Sequence, residues 1–252
     1  MPAATYPSLY DKHIFITGGA SGIGAALVDA FTAQHCRVFF VDIDDTAAAS
    51  LIRRLQALGR APLYQHCDLR SVDDIKAAVE AAVQTFGPIH CLINNAAHDD
   101  RHDFANVTET YWDNCQNINL KPHFFTAQAV VPSMRHSGGS IINMSSNSFM
   151  LKVGGMPGYL TAKAGIVGLT RALAAELGPH QIRVNSILPG WVMTQRQIDL
   201  WLTPEAEQEL LETQCIKRKI EPEDVAKLAL FLASDDSQMI TAQSLIIDGG
   251  RT

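Results

Sequence analysis

The chain has 252 residues, 47% of them apolar, and a formal net charge of −6. That is enough for one large core or two small ones, and an acidic balance without any basic block excludes nucleic acid as the main partner. No run approaches the ~20 consecutive apolar residues of a membrane helix, and Met1 to Tyr10 carries no cationic segment followed by an apolar run, so no secretion signal is expected. Cys36, Cys67, Cys91, Cys115 and Cys215 are scattered and odd in number, the usage of a cytoplasmic protein with reduced thiols.

In chain order, the first predicted strand is Ile14-Phe15-Ile16, and Thr17-Gly18-Gly19-Ala20-Ser21-Gly22-Ile23-Gly24 follows it and opens the helix Ala25 to Gln34. A glycine string between a strand and a helix suits a pyrophosphate. Gly18 turns sharply, Gly22 lets backbone approach the phosphates, and Gly24 lets the helix pack close to the sheet. Free N–H groups at the helix start attract the anion. The bland alternative is that the string is a plain tight turn. The second strand, Val38 to Val41, ends at Asp42, eighteen residues beyond Gly24. A carboxylate there accepts hydrogen bonds from ribose hydroxyls and repels a 2′-phosphate, so NAD is expected over NADP. The bland alternative is that Asp42 caps the next turn.

Helical stretches Thr46 to Leu58 and Asp73 to Thr85 lead to a strand over Ile89 to Ile93. His98 and His102 then stand at i, i+4, but Asp99-Asp100-Arg101 between them reads as loop and no third ligand is evident. No catalytic metal is expected. The next strand, Ile141-Ile142, is followed by Ser146, and thirteen residues later by Tyr159 and Lys163 at the head of the helix Ala162 to Leu177. Four residues are about one helical turn, so phenol and ammonium share a face. A lysine cation beside a phenol favours the phenolate and brings a group of pKa ~10 towards working range. A serine hydroxyl from a neighbouring strand end polarises the same substrate oxygen. A long segment near residues 190–220 has no strand pattern and reads as a substrate loop. Leu245-Ile246-Ile247 is the last strand. Continuous apolar strands alternating with helices predict an α/β, doubly wound, Rossmann-like parallel sheet with helices on both faces. No linker interrupts the pattern, so residues 1–252 are expected to form one domain.

Taken together, the motifs resemble those of the short-chain dehydrogenase/reductase family from about Lys12 to Gly250. The quoted pieces are Thr17 to Gly24, Asp68-Leu69, Asn94-Asn95-Ala96-Ala97 (where the family ends on glycine), Asn119, Ser146, Tyr159-x-x-x-Lys163 and Pro189-Gly190 with Val192 and Thr194. The resemblance implies catalytic Asn119, Ser146, Tyr159 and Lys163. Tyr159 is then the base and Lys163 lowers its pKa and binds the nicotinamide ribose. Ser146 holds the reacting oxygen, and Asn119 anchors a water leading from Lys163 to solvent. It further implies that NAD lies along Gly18, Ser21, Gly22, Ile23, Gly24, Asp42, Ile43, Asp68, Leu69, Asn95, Ala96, Pro189, Gly190, Val192 and Thr194, reaching Tyr159 and Lys163.

The segments Asn95 to His102, Tyr111-Trp112-Asp113, Gln195-Arg196-Gln197 and Trp201 to Glu205 resemble bacterial D-xylose 1-dehydrogenases and similar aldose dehydrogenases. The stretch Asn147 to Gly158 departs from that pattern, which leaves the identity of the sugar open. The implied reaction is oxidation of an aldose C1 hydroxyl to the lactone, with Ser146, Asn147, Tyr159, Trp191, Gln195 and Arg196 facing the substrate and Trp201 an alternative ring against the sugar. The alternatives are oxidation of another secondary hydroxyl on a sugar acid, polyol or unrelated alcohol, and a non-catalytic nucleotide-binding scaffold. The family resemblance also implies a homotetramer, packed through long helices over Val107 to Arg135 and Pro157 to Leu177.

Overall fold

The computed structural model describes residues 4–252, so the first three residues of the Met1–Tyr10 segment lie outside the described residues. Seven parallel strands form a single sheet: β1 (His13–Thr17), β2 (Arg37–Asp42), β3 (Leu63–His66), β4 (Cys91–Asn94), β5 (Gly139–Met144), β6 (Ile182–Pro189) and β7 (Ser244–Ile247), in the spatial order β3-β2-β1-β4-β5-β6-β7. The order reverses between β1 and β4, which are paired through Ile14↔Cys91 to Thr17↔Asn94. In an open sheet this reversal leaves a crevice beyond the carboxyl ends of those two strands.

The strands bury both faces, and successive side chains serve opposite cores. Ile14 and Ile16 join one cluster with Leu27, Phe31, Leu55 and Leu230, from the helices α1 (Gly22–Ala33), α2 (Asp45–Gln56) and α9 (Pro222–Ala233). Phe15 joins the other with Ile75, Val130 and Leu177, from α3 (Val72–Phe86), α5 (Lys121–Met134) and α6 (Pro157–Leu177). Helices therefore cover both faces, as the pattern predicts.

Two strands lie outside the apolar runs read from sequence, β3 and β6, and the strand expected over Ile89 to Ile93 runs over Cys91–Asn94. The long helix expected over Val107 to Arg135 is two helices, α4 (Glu109–Asn119) and α5, broken at Leu120 (φ −125°, ψ −53°). Pro122 is the cause. It has no N–H to offer, its ring collides with the carbonyl four residues back, and it disfavours helical backbone at the residue before it. The segment near residues 190–220 carries α7 (Gln195–Trp201) and α8 (Pro204–Thr213), and its sole strand-like feature among the described residues is the bridge Val192↔Ile220. No helix among the described residues is long and apolar enough to cross a membrane.

Candidate active site

The crevice beyond β1 and β4 is a groove of about 950 Å³ that runs from Asp42 and Asp68 at one end to Tyr159 and Trp201 at the other. Its floor begins with the glycine turn. Gly18 has φ +64°, and a Cβ there would lie 2.7 Å from Ala96 Cα; a Cβ on Gly24 would lie 1.8 Å from the Gly18 carbonyl oxygen. The turn is thus folded against β4's carboxyl end and beneath α1. Thr17 Oγ1 accepts from the N–H groups of Asn95 (3.0 Å) and Ala96 (3.2 Å), and Asn95 Nδ2 donates to the Gly18 oxygen at 2.9 Å. Side chains of Asp44 and Ser71 cap α2 and α3, but Ser21 gives α1 no side-chain cap. The start of α1 therefore keeps N–H groups for an anion, and the turn fits the pyrophosphate of a dinucleotide.

Asp42 does more than close the turn after β2. Its Oδ2 accepts from the Ala20 N–H at 2.9 Å, and its Oδ1 from the N–H groups of Ile43 (2.8 Å) and Asp44 (3.1 Å). Oδ1 is fully used by those two donors, whereas Oδ2 keeps a lone pair for a ligand in the groove that Asp42 lines. Asp68 lines the same end beside Arg70, whose guanidinium holds its carboxyl below the usual carboxylate range. Ser21, Ile23, Ile43, Leu69, Ala96, Pro189, Gly190, Val192 and Thr194 also line the groove. Gly22 does not; it supplies a backbone turn at φ +52° and packs against Thr194.

At the other end, α6 presents Tyr159 and Lys163 from its first two turns. Tyr159 lines the groove half-buried, and Lys163 sits behind it at 2% exposure, with Nζ 5.5 Å from the ring centroid and donating to the Met144 oxygen at 2.8 Å. Burial holds the ammonium down, to a pKa of about 7. The phenol moves the opposite way from the sequence expectation. Burial pushes it above its ordinary range and Asp99 adds to that, against Ser146 and Arg101, which act to lower it. Desolvation outweighs both of these lowering contacts. His123, wholly buried, is driven down to about 3 by burial and by Lys163.

Ser146 follows β5 and caps a short 3-10 turn, accepting from the Ser148 N–H at 3.1 Å. Ser145 is turned to the helix side, its hydroxyl donating to the Lys163 oxygen at 2.7 Å. Asn119 ends α4 and does not line the groove. Its Oδ1 accepts from the His98 N–H (2.8 Å), and its Nδ2 donates to the oxygens of His98 and Cys115 (both 3.0 Å). The Leu120 break has a second effect here: the His123 N–H, which in a continuous helix would bond Asn119, donates to the Leu120 oxygen.

Of the residues expected to face substrate, Ser146, Asn147, Tyr159, Trp191 and Arg196 line the groove. Asn147 is nearly closed off, and its Nδ2 donates to Asp248 at 3.0 Å. Gln195 is not brought to the groove. It is exposed at the start of α7, where its Nε2 donates to Asp199 one turn on, at 2.7 Å. Gln197 and Trp201 take that place; they stand i, i+4 on α7, a spacing that could have identified the inward face. Asp99 lines the groove too, from a loop beyond the carboxyl end of β4 where an open sheet collects its ligand groups. Leu151, Val153 and Met156 add an apolar wall that sequence reading missed. The two histidines considered for metal are occupied otherwise: His98 lies 2.8 Å from Asp100, and His102 Nε2 accepts from the Gly158 N–H at 3.2 Å.

Known proteins are similar to this chain over its full length. A protein named "Probable galactose dehydrogenase" from Rhizobium meliloti is 49% identical over 252 residues, covering 99% of this chain and 98% of its own. A D-xylose 1-dehydrogenase of Caulobacter vibrioides is 46% identical, covering 99% of each chain. A solved 7α-hydroxysteroid dehydrogenase, complexed with NADH and 7-oxo glycochenodeoxycholic acid, superposes with a TM-score of 0.92 at 31% identity over 97% of this chain and 96% of its own. The family model described as enoyl-(acyl carrier protein) reductase matches residues 18–252. With the reversal between β1 and β4, the glycine turn and the Ser146, Tyr159, Lys163 grouping, these matches make the chain a member of the short-chain dehydrogenase/reductase family.

Proposed function

We propose that this chain is an NAD-dependent dehydrogenase that oxidises the anomeric hydroxyl of an aldose, of the D-xylose-like pentose or 6-deoxyhexose class, to its aldonolactone. The observation that carries this reading is near-half identity, end to end, to two proteins named for sugar oxidation. The polar groups around Tyr159, namely Ser146, Asp99, Arg196 and Gln197, suit a polyhydroxylated substrate, and Trp191 or Trp201 offers a ring for its C–H face.

NAD, when bound, supplies the hydride acceptor. One of its ribose hydroxyls would be held by the free lone pair of Asp42 Oδ2, its pyrophosphate by the start of α1, and its nicotinamide end by Pro189 to Thr194. The rest is proton handling. Ser146 Oγ fixes the reacting oxygen, and Tyr159 Oη takes the hydroxyl proton as its own phenolic proton leaves. The neutral amine of Lys163 would receive the proton that leaves the phenol, because burial has brought the pKa of this group to about 7, where amine and ammonium are both populated near neutrality. Asn119 spends its side chain on His98 and Cys115, so its main-chain carbonyl, released by the helix break, is the group that would anchor a water leading outward from Lys163.

The chain is read as one domain, and as a homotetramer packed through α4, α5 and α6, where Trp112 and Phe124 stand exposed. A second reading rests on the apolar wall of Leu151, Val153 and Met156: oxidation of another secondary hydroxyl, on a polyol, sugar acid or unrelated alcohol. The deciding experiment is a panel of D-xylose, L-arabinose, D-galactose, L-fucose, their aldonates, polyols and a hydroxysteroid, each with NAD and with NADP. Lactone formation from aldoses with NAD is expected. Turnover confined to the non-aldose compounds would overturn the first reading.

A further inference from the structure

Tyr159 faces an unusual neighbour for a phenol that must ionise. The loop after β4 carries Asp99 and Asp100 side by side, and Asp99 lines the same end of the groove. A carboxylate here opposes the phenolate and retains the proton on Lys163, and both effects are present. The structure also supplies an answer to that charge, from a different element. Arg196, on α7, donates through Nε to Asp99 Oδ1 at 3.2 Å and through Nη2 to Asp100 Oδ1 at 3.1 Å. Gln197 Nε2 donates to Asp99 Oδ2 at 2.6 Å, and the Trp191 indole N–H, donating to Gln197 Oε1 at 2.8 Å, fixes which way that amide points. The Asp99 side chain is 22% exposed, so the pairing is partly shielded from water.

We propose that Asp99 is a positioning residue that sets the proton affinity of the Tyr159–Lys163 pair, and that Arg196 is its counter-ion, so that seating α7 against the β4–α4 segment tunes the base. The inference rests on the reading of Tyr159 as the base, and it adds a link between the substrate segment and proton transfer. Other groups also face the pair. Arg101 comes from the same loop as Asp99, Cys115 from α4, and Ser146 from the end of β5; buried His123 lies behind Lys163. His98 lies against Asp100, and Arg251 lines the groove. Arg196 alone among these charged groups comes from the 190–220 segment.

The test uses full-length Asp99→Asn, Arg196→Met, the double variant, and Asp99→Glu. One readout needs no turnover: the Lys163 ε-carbon NMR signal, expected to titrate near 7 and assigned by its loss in Lys163→Met. Asp99→Asn should lower its midpoint by about one pH unit, and Arg196→Met should raise it by a smaller amount. The double variant should follow Asp99→Asn, and Asp99→Glu should return the midpoint towards the parent. The second readout is the pH dependence of kcat with NAD and an aldose, whose limb should move in the same directions. An unmoved midpoint, or shifts of one sign in both single variants, overturns the proposal even if kcat falls, since a merely structural contact lowers rate without moving a titration. Absence of aldose turnover with the midpoint shifts intact would instead sink the substrate assignment and leave this link standing.

Discussion

Lys163→Met should make the cofactor-free protein more stable near neutral pH while destroying its activity. The lysine is almost wholly buried without a carboxylate partner, and its pKa falls from 10.5 to about 7. A drop of about 3.5 units, at about 1.36 kcal/mol each, is a folding penalty on the order of 5 kcal/mol. Methionine fills a similar volume without charge, but leaves the Met144 oxygen without its 2.8 Å donor. That loss costs about 1–3 kcal/mol, so the net gain is about 2–4 kcal/mol. The sign follows from the order of the two values. The folded-state pKa lies below the unfolded one, so between about 7 and 10.5 the unfolded chain binds more protons and parent stability rises with pH. The penalty is complete below about 7 and gone above 10.5. The variant's advantage should therefore be largest near pH 6, shrink through the window, and reverse at its top, where only the missing hydrogen bond remains. Urea unfolding of both proteins, at one protein concentration and several pH values, measures this. A variant that is less stable at low pH, or a difference independent of pH, would refute the reasoning.

Tyr159→Phe should cut turnover by at least the ~10²–10⁴-fold of general acid–base assistance while leaving NAD binding nearly unchanged in a fluorescence titration; lost binding would make the tyrosine a wall of the groove. Asp42→Ala should raise the NADP-to-NAD ratio of kcat/KM about tenfold to a hundredfold, the worth of a charged hydrogen bond to ribose, and an unchanged ratio would remove Asp42 from selectivity. Gly24→Ala, with its Cβ 1.8 Å from the Gly18 oxygen, should destabilise the fold by about 3 kcal/mol or more in thermal unfolding, since backbone rather than a side-chain tip must give way.

How much of this was legible in the sequence depended on whether each residue's reason was local. The glycine turn, Asp42 at the end of β2, and Tyr159 with Lys163 on one helical face follow from spacing alone. β6 was hidden because Arg183, Asn185 and Ser186 interrupt its apolar residues. Their partners are distant: Asn185 Nδ2 donates to the Ile240 oxygen and its Oδ1 accepts from the Gln243 N–H, while the Ser186 hydroxyl pairs with that of Ser244. β3 is an edge strand whose Leu63 is exposed, so it lacks the run of a buried strand. Asn147 looked free to bind substrate because Asp248, its actual partner, is 101 residues away. Gln197 shares a helical face with Trp201 and Gln195 with Asp199, but which of the two faces turns inward is set by how α7 packs. The upward shift of Tyr159 was hidden for a different reason: the fold buries the phenol and places Asp99 beside it, a balance that residue spacing does not contain.

The strand order carries a consequence for how the molecule is made. Starting from β1, each later strand joins an open edge: β2 and then β3 on one side, β4 to β7 in succession on the other. No strand is ever inserted between two that are already paired. A nascent chain can therefore accrete its sheet in the direction of translation, assembling the nucleotide half as one wing before the residues of the reacting half have been synthesised.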